Sequence, residues 1–427
     1  MATRTKNVSL EDLQNIVGEE YAREAGAADA VDGVAPSFVV EPGSTEETSE
    51  LMKFASAEGL AVAPRGGGTT MTLGNPPREL DLVLSTTRMN GVVEHVPGDQ
   101  VVRVQSGIRL RDLQERLAGS DQILGVDPPE EGSGATVGGI VAANSSGPRR
   151  YRYGTVRDLI IGITVVLADG TVAKAGGKVV KNVAGYDLAK LFTGSLGTLG
   201  VIAECNFRLH PRPEAARTVV VELPDASSAG EASQAILHAQ IVPSAVELYW
   251  SGETRLLTVF IESIASGVEA QAETTSHILG SFGEVRMLSD EEAGSLGPLS
   301  PPGTGGNEVT IKISSPPAEL TGVLDSTLGA CSRRGVTPRI TGHAGTGVSY
   351  VGLSGGDEEV RAQAVEELRE IWLRRGGSVI VREAPPAFKE RVEVWGPVGS
   401  RLELTRRVKE KFDPRGILNP GRFVGGI

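Results

Sequence analysis

The sequence predicts an α+β protein built from two architectural parts, and three observations support that fold class. A β-α-β pattern over residues 37–65 runs directly into a row of glycines. Farther along, the order strand–helix–strand–strand–helix–strand occurs twice in succession between Thr218 and Glu383, which is the ferredoxin-like pattern in duplicate. Glycine contributes 55 of the 427 residues, so tight turns and close backbone approaches are expected.

The N-terminal half opens with a short helical segment, expected within residues 1–34 and begun by Ser9. The strand "SFVVEP" follows, and Ser44 with Glu47 predicts a capping box at the start of the helix "ETSELMKFASAEG". The strand "LAVAP" completes the β-α-β unit. Three strands, "LDLVLST", "GVVEHV" and "VVRVQSG", and a glycine-closed helix come next. These elements predict a domain over residues 35–213.

The C-terminal half repeats one pattern. Its first copy runs from "TVVVELP" to "EVRML", and its second from "EVTIKIS" to "SVIVRE", with the linker "GSLGPLSPPGTGGN" between them. The two copies predict a second domain over residues 214–397. Residues 398–427 predict a helix and then a proline- and glycine-punctuated hook, "DPRGILNPGRF", that returns to the first domain.

Composition and charge narrow the function classes. The formal net charge of -12 argues against a nucleic-acid partner and against adhesion to acidic lipid. The N-terminus turns charged before an apolar signal core could form. The longest apolar run, Leu159–Ala168, is about half of a membrane span and predicts a buried strand. We expect a cytoplasmic protein without direct membrane insertion, peripheral at the inner face of a membrane only through partners.

The two cysteines, Cys205 and Cys331, stand alone in the sequence. Because they form no cluster, the chain's own thiolates cannot ligate an iron–sulfur centre, and a disulfide framework is equally excluded. Structural thiols in a reducing compartment are the expectation.

The first glycine-rich stretch, "PRGGGTT" at residues 64–70, has the composition of an anion-binding loop. It lacks the lysine and hydroxyl of a Walker loop and the spacing of a dinucleotide fingerprint. Its amides carry no Cβ shield and can form a concavity for a phosphate, while Thr69 and Thr70 add hydroxyl donors. A bare turn explains the stretch equally well. Arg65 either supplies charge to a ligand or holds the loop by pairing elsewhere.

Two further small-residue stretches favour a ligand. "DPPEEGSGATVGGIVAANSSG", residues 127–147, combines hydroxyls and paired glycines with a short helix whose first amides would suit a pyrophosphate. "GSLGTLGVIAE", residues 194–204, permits close backbone approach and leads into a strand that can present N–H and C=O groups to a planar ring. Two phosphates and a ring system together describe a dinucleotide cofactor.

These stretches, in this order, resemble the FAD-binding domain of the vanillyl-alcohol oxidase and p-cresol methylhydroxylase (PCMH) superfamily over roughly residues 37–213. "LNPGRF" resembles the tail that this superfamily returns towards its flavin. "KVVKNVAGYDLAKLFTGSLGTLGVI", "GHAGTGVSYVG" and "VWGP" are similar to the E-subunit family of glycolate oxidase, so the likeness covers nearly the whole chain. The resemblance implies FAD, a two-subdomain PCMH-type flavin domain and a cap made of the duplicated ferredoxin-like unit.

The resemblance also implies how the flavin is held. Covalent members of the superfamily often carry a histidine in the first glycine loop, whereas "RGGGTT" has none and no histidine lies nearer than His95, which favours non-covalent FAD. The residues implied to bind the cofactor are Pro64, Arg65, Gly66, Gly67, Gly68, Thr69, Thr70, Pro128, Ala135, Thr136, Val137, Gly138, Gly139, Asn144, Ser146, Gly147, Gly200, Val201, Ile202 and Asn419.

Related α-hydroxy-acid dehydrogenases bind a metal through two histidines of an "HAGDGNxH"-like segment and a later Glu–His pair. Here His343 remains, but Tyr350 holds the second histidine position and the Glu–His pair is missing. A phenol with a pKa near ~10 is a poor ligand, so no metal site is expected, and His343 is expected to be structural or close to the flavin. Lys181, Tyr186 and Arg339 are the candidates for a protein-only catalytic role, each with a surface or core role as the alternative.

The resemblance leaves three functions open. In the first, FAD accepts a hydride from a small 2-hydroxy acid such as glycolate and passes electrons to an iron–sulfur subunit. In the second, this chain is a flavin-binding electron-transfer or scaffold subunit beside a homologous FAD subunit that does the chemistry. A free-standing oxidase that returns electrons to oxygen is the third.

Overall fold

The chain forms two compact units in a computed structural model that describes residues 8–177, 187–289, 292–293 and 308–427. The first unit comprises Met1–Ser146, Thr155–Arg212 and Val398–Ile427, and the second comprises Gly147–Gly154 and Pro213–Pro397. The short segment Gly147–Gly154 therefore interrupts the first unit and belongs to the second.

The elements alternate between helix and strand in both units, which confirms the α+β class. The helices are α1 (Leu10–Val17), α2 (Thr45–Glu58), α3 (Leu110–Ala118), α4 (Val137–Ala143), α5 (Arg150–Tyr153), α6 (Val156–Leu159), α7 (Leu188–Phe192), α8 (Ala226–His238), α9 (Ala265–Leu279), α10 (Leu320–Ser332), α11 (Glu358–Arg374), α12 (Pro386–Arg391) and α13 (Arg401–Phe412). The strands are β1 (Ala22–Glu24), β2 (Phe38–Val40), β3 (Val62–Arg65), β4 (Leu82–Ser85), β5 (Val92–Val96), β6 (Val101–Gln105), β7 (Gln122–Ile123), β8 (Ile160–Val166), β9 (Val172–Gly176), β10 (Val201–Arg208), β11 (His210–Pro211), β12 (Ala215–Glu222), β13 (Ala245–Ser251), β14 (Thr254–Ser263), β15 (Val285–Leu288), β16 (Val309–Ser314), β17 (Thr337–His343), β18 (Val348–Ser354) and β19 (Ser378–Glu383).

Two principal sheets organise the first unit. One has the order β1-β2-β4-β3, in which β4 pairs in parallel with both β2 and β3, and the other has the order β5-β6-β10-β8-β9. The apolar run predicted as a buried strand forms β8 inside the second sheet. Of the helices that the structure describes, none combines the length and apolarity needed to cross a bilayer.

The helix α2 begins as the sequence predicts, but only one half of its capping box forms. The Ser44 hydroxyl accepts the Glu47 N–H at 3.0 Å. The Glu47 carboxylate accepts the N–H of Gly43 at 2.8 Å rather than that of Ser44, so the reciprocal bond is displaced by one residue. The helix then buries Leu51, Met52 and other apolar side chains against the parallel strands.

One antiparallel sheet spans the second unit, with the order β15-β12-β14-β13-β17-β18-β16-β19 among the strands described. The strand order of the first copy is mirrored by that of the second, and the copies meet where β13 pairs with β17. The helices α8, α9, α10 and α11 contribute buried residues to the same core cluster as the sheet.

The two faces of this sheet differ because side chains alternate along a strand. Val246, Leu248 and Val351 point into the core cluster. Their neighbours point the other way and form what we call the polar face, which includes Glu247, Lys312, Thr341, His343, Tyr350 and Arg382. Since cross-strand partners share a face, the sheet brings residues from five strands together there.

A buried ion pair fixes the C-terminal tail within the first unit. The Lys409 ammonium donates to the Asp413 carboxylate at 2.6 Å and to the carbonyls of Thr198 and Leu418 at 2.8 Å each. The Asp413 carboxylate also accepts the amides of Ile417 and Leu418. These bonds close the turn after α13 and bring the tail alongside β3, where the Asn419 amide donates to the Val62 carbonyl.

Replacing Asp413 with asparagine should destabilise the first unit. The substitution leaves the Lys409 charge buried without its counterion, a change that typically costs about 3–5 kcal/mol. Differential scanning calorimetry should therefore record a fall of several degrees in the corresponding transition. Glu50→Gln is the control, because the Lys53–Glu50 pair is exposed on both sides, and such pairs contribute about 0–1 kcal/mol. Equal midpoints of the calorimetric transition in the two variants would contradict the stabilising role of the Lys409–Asp413 ion pair.

Candidate functional site

A cleft in the first unit is the candidate cofactor site. Its walls come from the loop after β3, the start of α4, the loop before β10 and the C-terminal tail. The lining residues are Pro64, Arg65, Gly66, Gly67, Gly68, Thr69, Thr70, Met71, Thr86, Ser106, Thr136, Gly138, Gly139, Ala142, Ala143, Leu196, Gly197, Gly200, Val201, Ile202, Asn419 and Arg422.

The glycine loop presents consecutive main-chain donors to this cleft. Within the described part of the chain, the amides of Gly66 to Thr70 donate no hydrogen bond to protein. Successive N–H groups without partners form a concavity suited to an anion, because each amide carries a partial positive charge. The loop has the chemistry that a phosphate needs.

Two of the three glycines are explained by packing rather than by ligand access. A Cβ on Gly66 would lie 2.0 Å from the Thr136 hydroxyl oxygen, and a Cβ on Gly67 would lie 2.1 Å from the Gly134 carbonyl oxygen. Neither distance is possible, so the first loop reaches the second only as bare backbone. Gly68 differs in having a φ of +75°, a conformation that glycine adopts without strain.

The start of α4 is less available to a ligand than its sequence suggests. The Val137 amide donates to the Ile108 carbonyl, and the Gly138 amide donates to the Ser106 carbonyl at 2.7 Å. The Gly139 amide donates to the Thr136 hydroxyl at 3.4 Å. The first amides of this helix are thus already bonded, and the glycine loop supplies the free donors.

Arg65 lines the cleft and also pairs with a carboxylate, as the second of the two alternatives left by the sequence requires. Its guanidinium donates to the Asp29 carboxylate at 3.0 Å, and Arg23 donates to the same carboxylate at 2.7 Å. Bonds from Arg23, then from the Gly26 amide and Arg65, hold the pKa of the Asp29 carboxyl well below its usual range. A second cavity, of about 710 Å³, adjoins Arg65 and Asp29 and shares the glycine loop with the first.

Most of the residues that the sequence assigns to the cofactor line the cleft, but six do not. Ala135 and Val137 are buried in the core, and Pro128 is also buried. Asn144 ends α4 in the left-handed region with a φ of 48°. The remaining two are Ser146 and Gly147. Ser146 is buried and is the last residue of the segment Met1–Ser146 of the first unit, and Gly147 belongs to the second unit.

Several lining residues carry no sequence signal of their own. Ser106 and Thr86 reach the cleft from strand ends, and Leu196 does so with a positive φ of 52°. The buried Arg422 guanidinium donates to the carbonyls of Met71 and Leu73 and so fixes the loop that follows the glycines. The "LNPGRF" motif pointed to Arg422 and the stretch at residues 194–204 includes Leu196, whereas nothing local pointed to Ser106 or Thr86.

Two buried polar atoms in the cleft lack a hydrogen-bond partner among the described residues. The Ser106 hydroxyl and the Asn419 side-chain carbonyl have no hydrogen-bond partner among the described residues, although the Asn419 amide group donates to the Leu196 carbonyl at 2.7 Å. A buried unpaired polar group costs about 1–3 kcal/mol. A polar ligand that bonds to them would recover that free energy.

The polar face of the second unit carries a buried histidine–carboxylate pair. His343 Nδ1 lies 2.8 Å and 3.0 Å from the two Glu247 oxygens, and both residues are at most 5% exposed. Burial raises the pKa of the Glu247 carboxyl, against the opposing effects of His343 and Arg150. The Tyr350 ring meets His343 edge-on, with ring centroids 5.7 Å apart.

Three cations gather on the same face. The Lys312 ammonium has no hydrogen-bond or ion-pair partner in the described residues, and burial together with Arg382 and Arg150 lowers its pKa to about 8. The Arg382 guanidinium lies 5.9 Å from the centroid of the Tyr350 ring. A lysine ammonium without a partner among the described residues, with two further cations beside it, has the charge that an anionic ligand needs.

Of the catalytic candidates from the sequence, Arg339 is the one that the structure describes. Lys181 and Tyr186 lie outside the described residues. Arg339 lies on β17 and pairs with Glu308 at 3.5 Å. Within residues 8–177, 187–289, 292–293 and 308–427, no three His, Cys, Asp or Glu side chains converge as a metal site requires.

Comparison with known proteins identifies the class of protein that has this fold and this first-unit cleft. A family model described as "FAD binding domain" matches residues 36–176, and one described as "FAD linked oxidases, C-terminal domain" matches residues 212–278 and 392–423. p-Cresol methylhydroxylase has the same fold, with a TM-score of 0.74 at 16% identity over 97% of this chain and 95% of that one. The class is that of FAD-binding proteins, and the fold is that of p-cresol methylhydroxylase.

Curated relatives identify the family within that class. The D-lactate dehydrogenase of Archaeoglobus fulgidus is 30% identical over 90% of this chain and 91% of its own length. The glycolate oxidase subunit GlcD of Bacillus subtilis is 28% identical over 91% of this chain and 89% of its own length. The chain belongs to the FAD-linked oxidoreductase family of these glycolate oxidase subunits and D-lactate dehydrogenases.

Adding a methyl group at Gly67 should weaken FAD binding. The new Cβ would displace either the glycine loop or Gly134, and misplaced amides bind a pyrophosphate poorly. We expect Gly67→Ala to raise the dissociation constant of FAD at least ~10-fold, or about 1.4 kcal/mol, in a fluorescence titration of the apoprotein. Gly98→Ala is the control, since nothing lies within 4 Å of its new Cβ. Matching affinities in the two variants would refute the packing role of Gly67.

Proposed function

We propose that this chain is an FAD-dependent dehydrogenase that oxidises a small 2-hydroxy acid to the 2-oxo acid and delivers the electrons to a partner subunit. The observation that carries the substrate class is the Lys312 ammonium beside Arg150 and Arg382, which has no partner within the part of the chain that the structure describes. The two relatives named above are called after glycolate and D-lactate, which are both small 2-hydroxy acids.

Residues of the first unit would hold the cofactor without a covalent bond. The free amides of Gly66 to Thr70 would bind the pyrophosphate, and the unpaired atoms of Ser106 and Asn419 would bond to polar atoms elsewhere on FAD. Bound FAD supplies a two-electron acceptor for hydride. No histidine lies in the loop at residues 64–70, which supports the non-covalent mode.

The cations of the polar face would bind and orient the substrate carboxylate. A charge-assisted hydrogen bond from Lys312 is stronger than a neutral one, and a bound carboxylate would raise the depressed pKa of the ammonium. Because that pKa is about 8, the group is mostly charged at neutral pH and loses its proton above pH 8. Binding of the acid should therefore weaken as the pH rises beyond this value.

A partner subunit is supported by the word "subunit" in the name of one relative and by the chain's thiols. Cys205 and Cys331 are both buried, and burial raises the pKa of the Cys331 thiol to about 11. Neither is placed to carry electrons onward. An iron–sulfur subunit and a second, homologous FAD subunit are the partners that we propose.

Anaerobic addition of glycolate or D-lactate to the purified chain tests this function. The yellow protein should lose its visible flavin absorbance, and its FAD should stay in the supernatant after acid precipitation. The dissociation constant of the acid should rise at least ~10-fold in Lys312→Met, and in the native protein by up to ~10-fold per pH unit above 8. Lys53→Met, at an exposed lysine, is the control.

The possible outcomes separate the alternatives. If dithionite reduces the flavin under anaerobic conditions but neither acid does, the result would contradict a catalytic role and favour a scaffold subunit. If the flavin of Lys312→Met bleaches as in the native protein at every pH, the assignment of the carboxylate site to Lys312 is wrong and the proposed reaction stands. Cofactor that remains with the precipitate would contradict non-covalent binding.

A further inference from the structure

The imidazole of His343 has one nitrogen in use and one free. Nδ1 faces the Glu247 carboxylate, which lies directly opposite on β13 because the two residues are cross-strand partners. Nε2 is buried and has no hydrogen-bond partner among the residues that the structure describes, and the Thr341 hydroxyl two residues earlier on β17 is unpartnered too. A buried acceptor without a donor marks a place where a ligand hydroxyl can bond.

The carboxylate decides which nitrogen carries the proton. When Glu247 is ionised its carboxylate only accepts hydrogen bonds, so Nδ1 then carries the proton and Nε2 keeps its lone pair. The bidentate contact, with oxygens at 2.8 Å and 3.0 Å, also fixes the plane of the ring. In this tautomer His343 is a proton acceptor of defined direction.

Burial penalises the charge of the Glu247 carboxylate and raises the pKa of that group, and the adjacent His343 imidazole opposes this shift. The charged and titratable groups on this face include Glu247 and Tyr249 from β13, Glu262 from β14, Arg339 from β17, Tyr350 from β18, Lys312 from β16, Arg382 from β19 and Arg150 from α5.

We propose that His343 Nε2 is the base that takes the hydroxyl proton of the substrate, with Glu247 as its positioning residue. This inference rests on the proposed function. In the step, the O–H and Cα–H bonds of the 2-hydroxy acid break and a C=O bond forms. The proton goes to Nε2 and later to water, while the hydride with both electrons goes to the two-electron acceptor that the oxidoreductase holds.

The first measurement is the rate constant of anaerobic flavin reduction by saturating D-lactate or glycolate between pH 5.5 and 9. A general base contributes typically ~10²–10⁴-fold, so His343→Gln should slow reduction at least ~100-fold while the dissociation constant of the acid changes less than ~3-fold. The native enzyme should lose rate as Nε2 becomes protonated at low pH. His343→Gln should lack this acid limb.

Glu247→Gln separates positioning from packing, because glutamine keeps the size and one hydrogen bond but not the charge. Without the carboxylate the imidazolium is less stable, so the acid limb should move to lower pH and the rate should fall ~10-fold or more. His95→Gln is the matched control, since the His95 ring is bonded to Gln122 at 2.9 Å in the first unit. It should reduce at the native rate.

A spectroscopic arm tests the pair without turnover. In protein with ¹⁵N-labelled histidine, the signals missing from His343→Gln belong to His343 and should report a protonated Nδ1 and an unprotonated Nε2 at neutral pH. A protonated Nε2 under those conditions would overturn the inference whatever the substrate. Signals with the expected tautomer support it.

The kinetic outcomes distinguish a failure of this inference from a failure of the proposed function on which it rests. If the native flavin is reduced and His343→Gln matches it in rate and pH profile, the base is wrong and the function stands. If no 2-hydroxy acid reduces the native flavin although dithionite does, the function fails and the inference fails with it. If His343→Gln does not fold, an unshifted acid limb and native rate in Glu247→Gln overturn the assignment.

Discussion

The close packing of one bare loop on another is the constraint on which the cofactor site depends. Gly66 and Gly67 touch Thr136 and Gly134 at distances that exclude any side chain. In the described structure the amides from Gly66 to Thr70 have no protein partner, and these five residues line the cleft. Arg65 and Asp29 brace the same loop from its other side. A pyrophosphate then meets donors that need no rearrangement, which is the advantage of a preorganised site.

In the second unit, the alternation of side chains along antiparallel strands produces the polar face. Alternation along antiparallel strands sends one set of side chains into an apolar core shared with four helices, and the other set onto the polar face. Register then pairs Glu247 with His343 and Lys312 with Tyr350 across neighbouring strands. The same sheet therefore supplies stability on one side and a cationic, histidine-bearing surface on the other. A change of one residue in register would send these groups into the core.

Much of the fold could be predicted from the sequence because it depends on local patterns. The β-α-β unit, the buried strand β8 and the duplicated element order all follow from periodicity and from turn residues. Contacts between distant segments could not be predicted in this way. The bonded state of the α4 amides depends on carbonyls of Ile108 and Ser106, which lie about thirty residues earlier, and no spacing announces it.

The candidate site was predictable to the same extent. Small-residue stretches and the tail motif located most of the cleft, since glycine and hydroxyl runs are visible in a single sequence. The Glu247–His343 pair was missed because its members are far apart in the chain and meet only through strand register. The role of Arg65 stayed open for the same reason, as its partner Asp29 precedes it by one whole β-α-β unit.

Hydrogen–deuterium exchange of the apoprotein with and without FAD measures the central claim most directly. Peptides that cover Gly66 to Thr70 should exchange fast without the cofactor and at least ~10-fold more slowly with it, because their free amides become bonded to phosphate oxygens. The amides of Val137 and Gly138, which already donate to protein, should change little. Bound FAD that leaves the exchange of the glycine loop unchanged would contradict the claim.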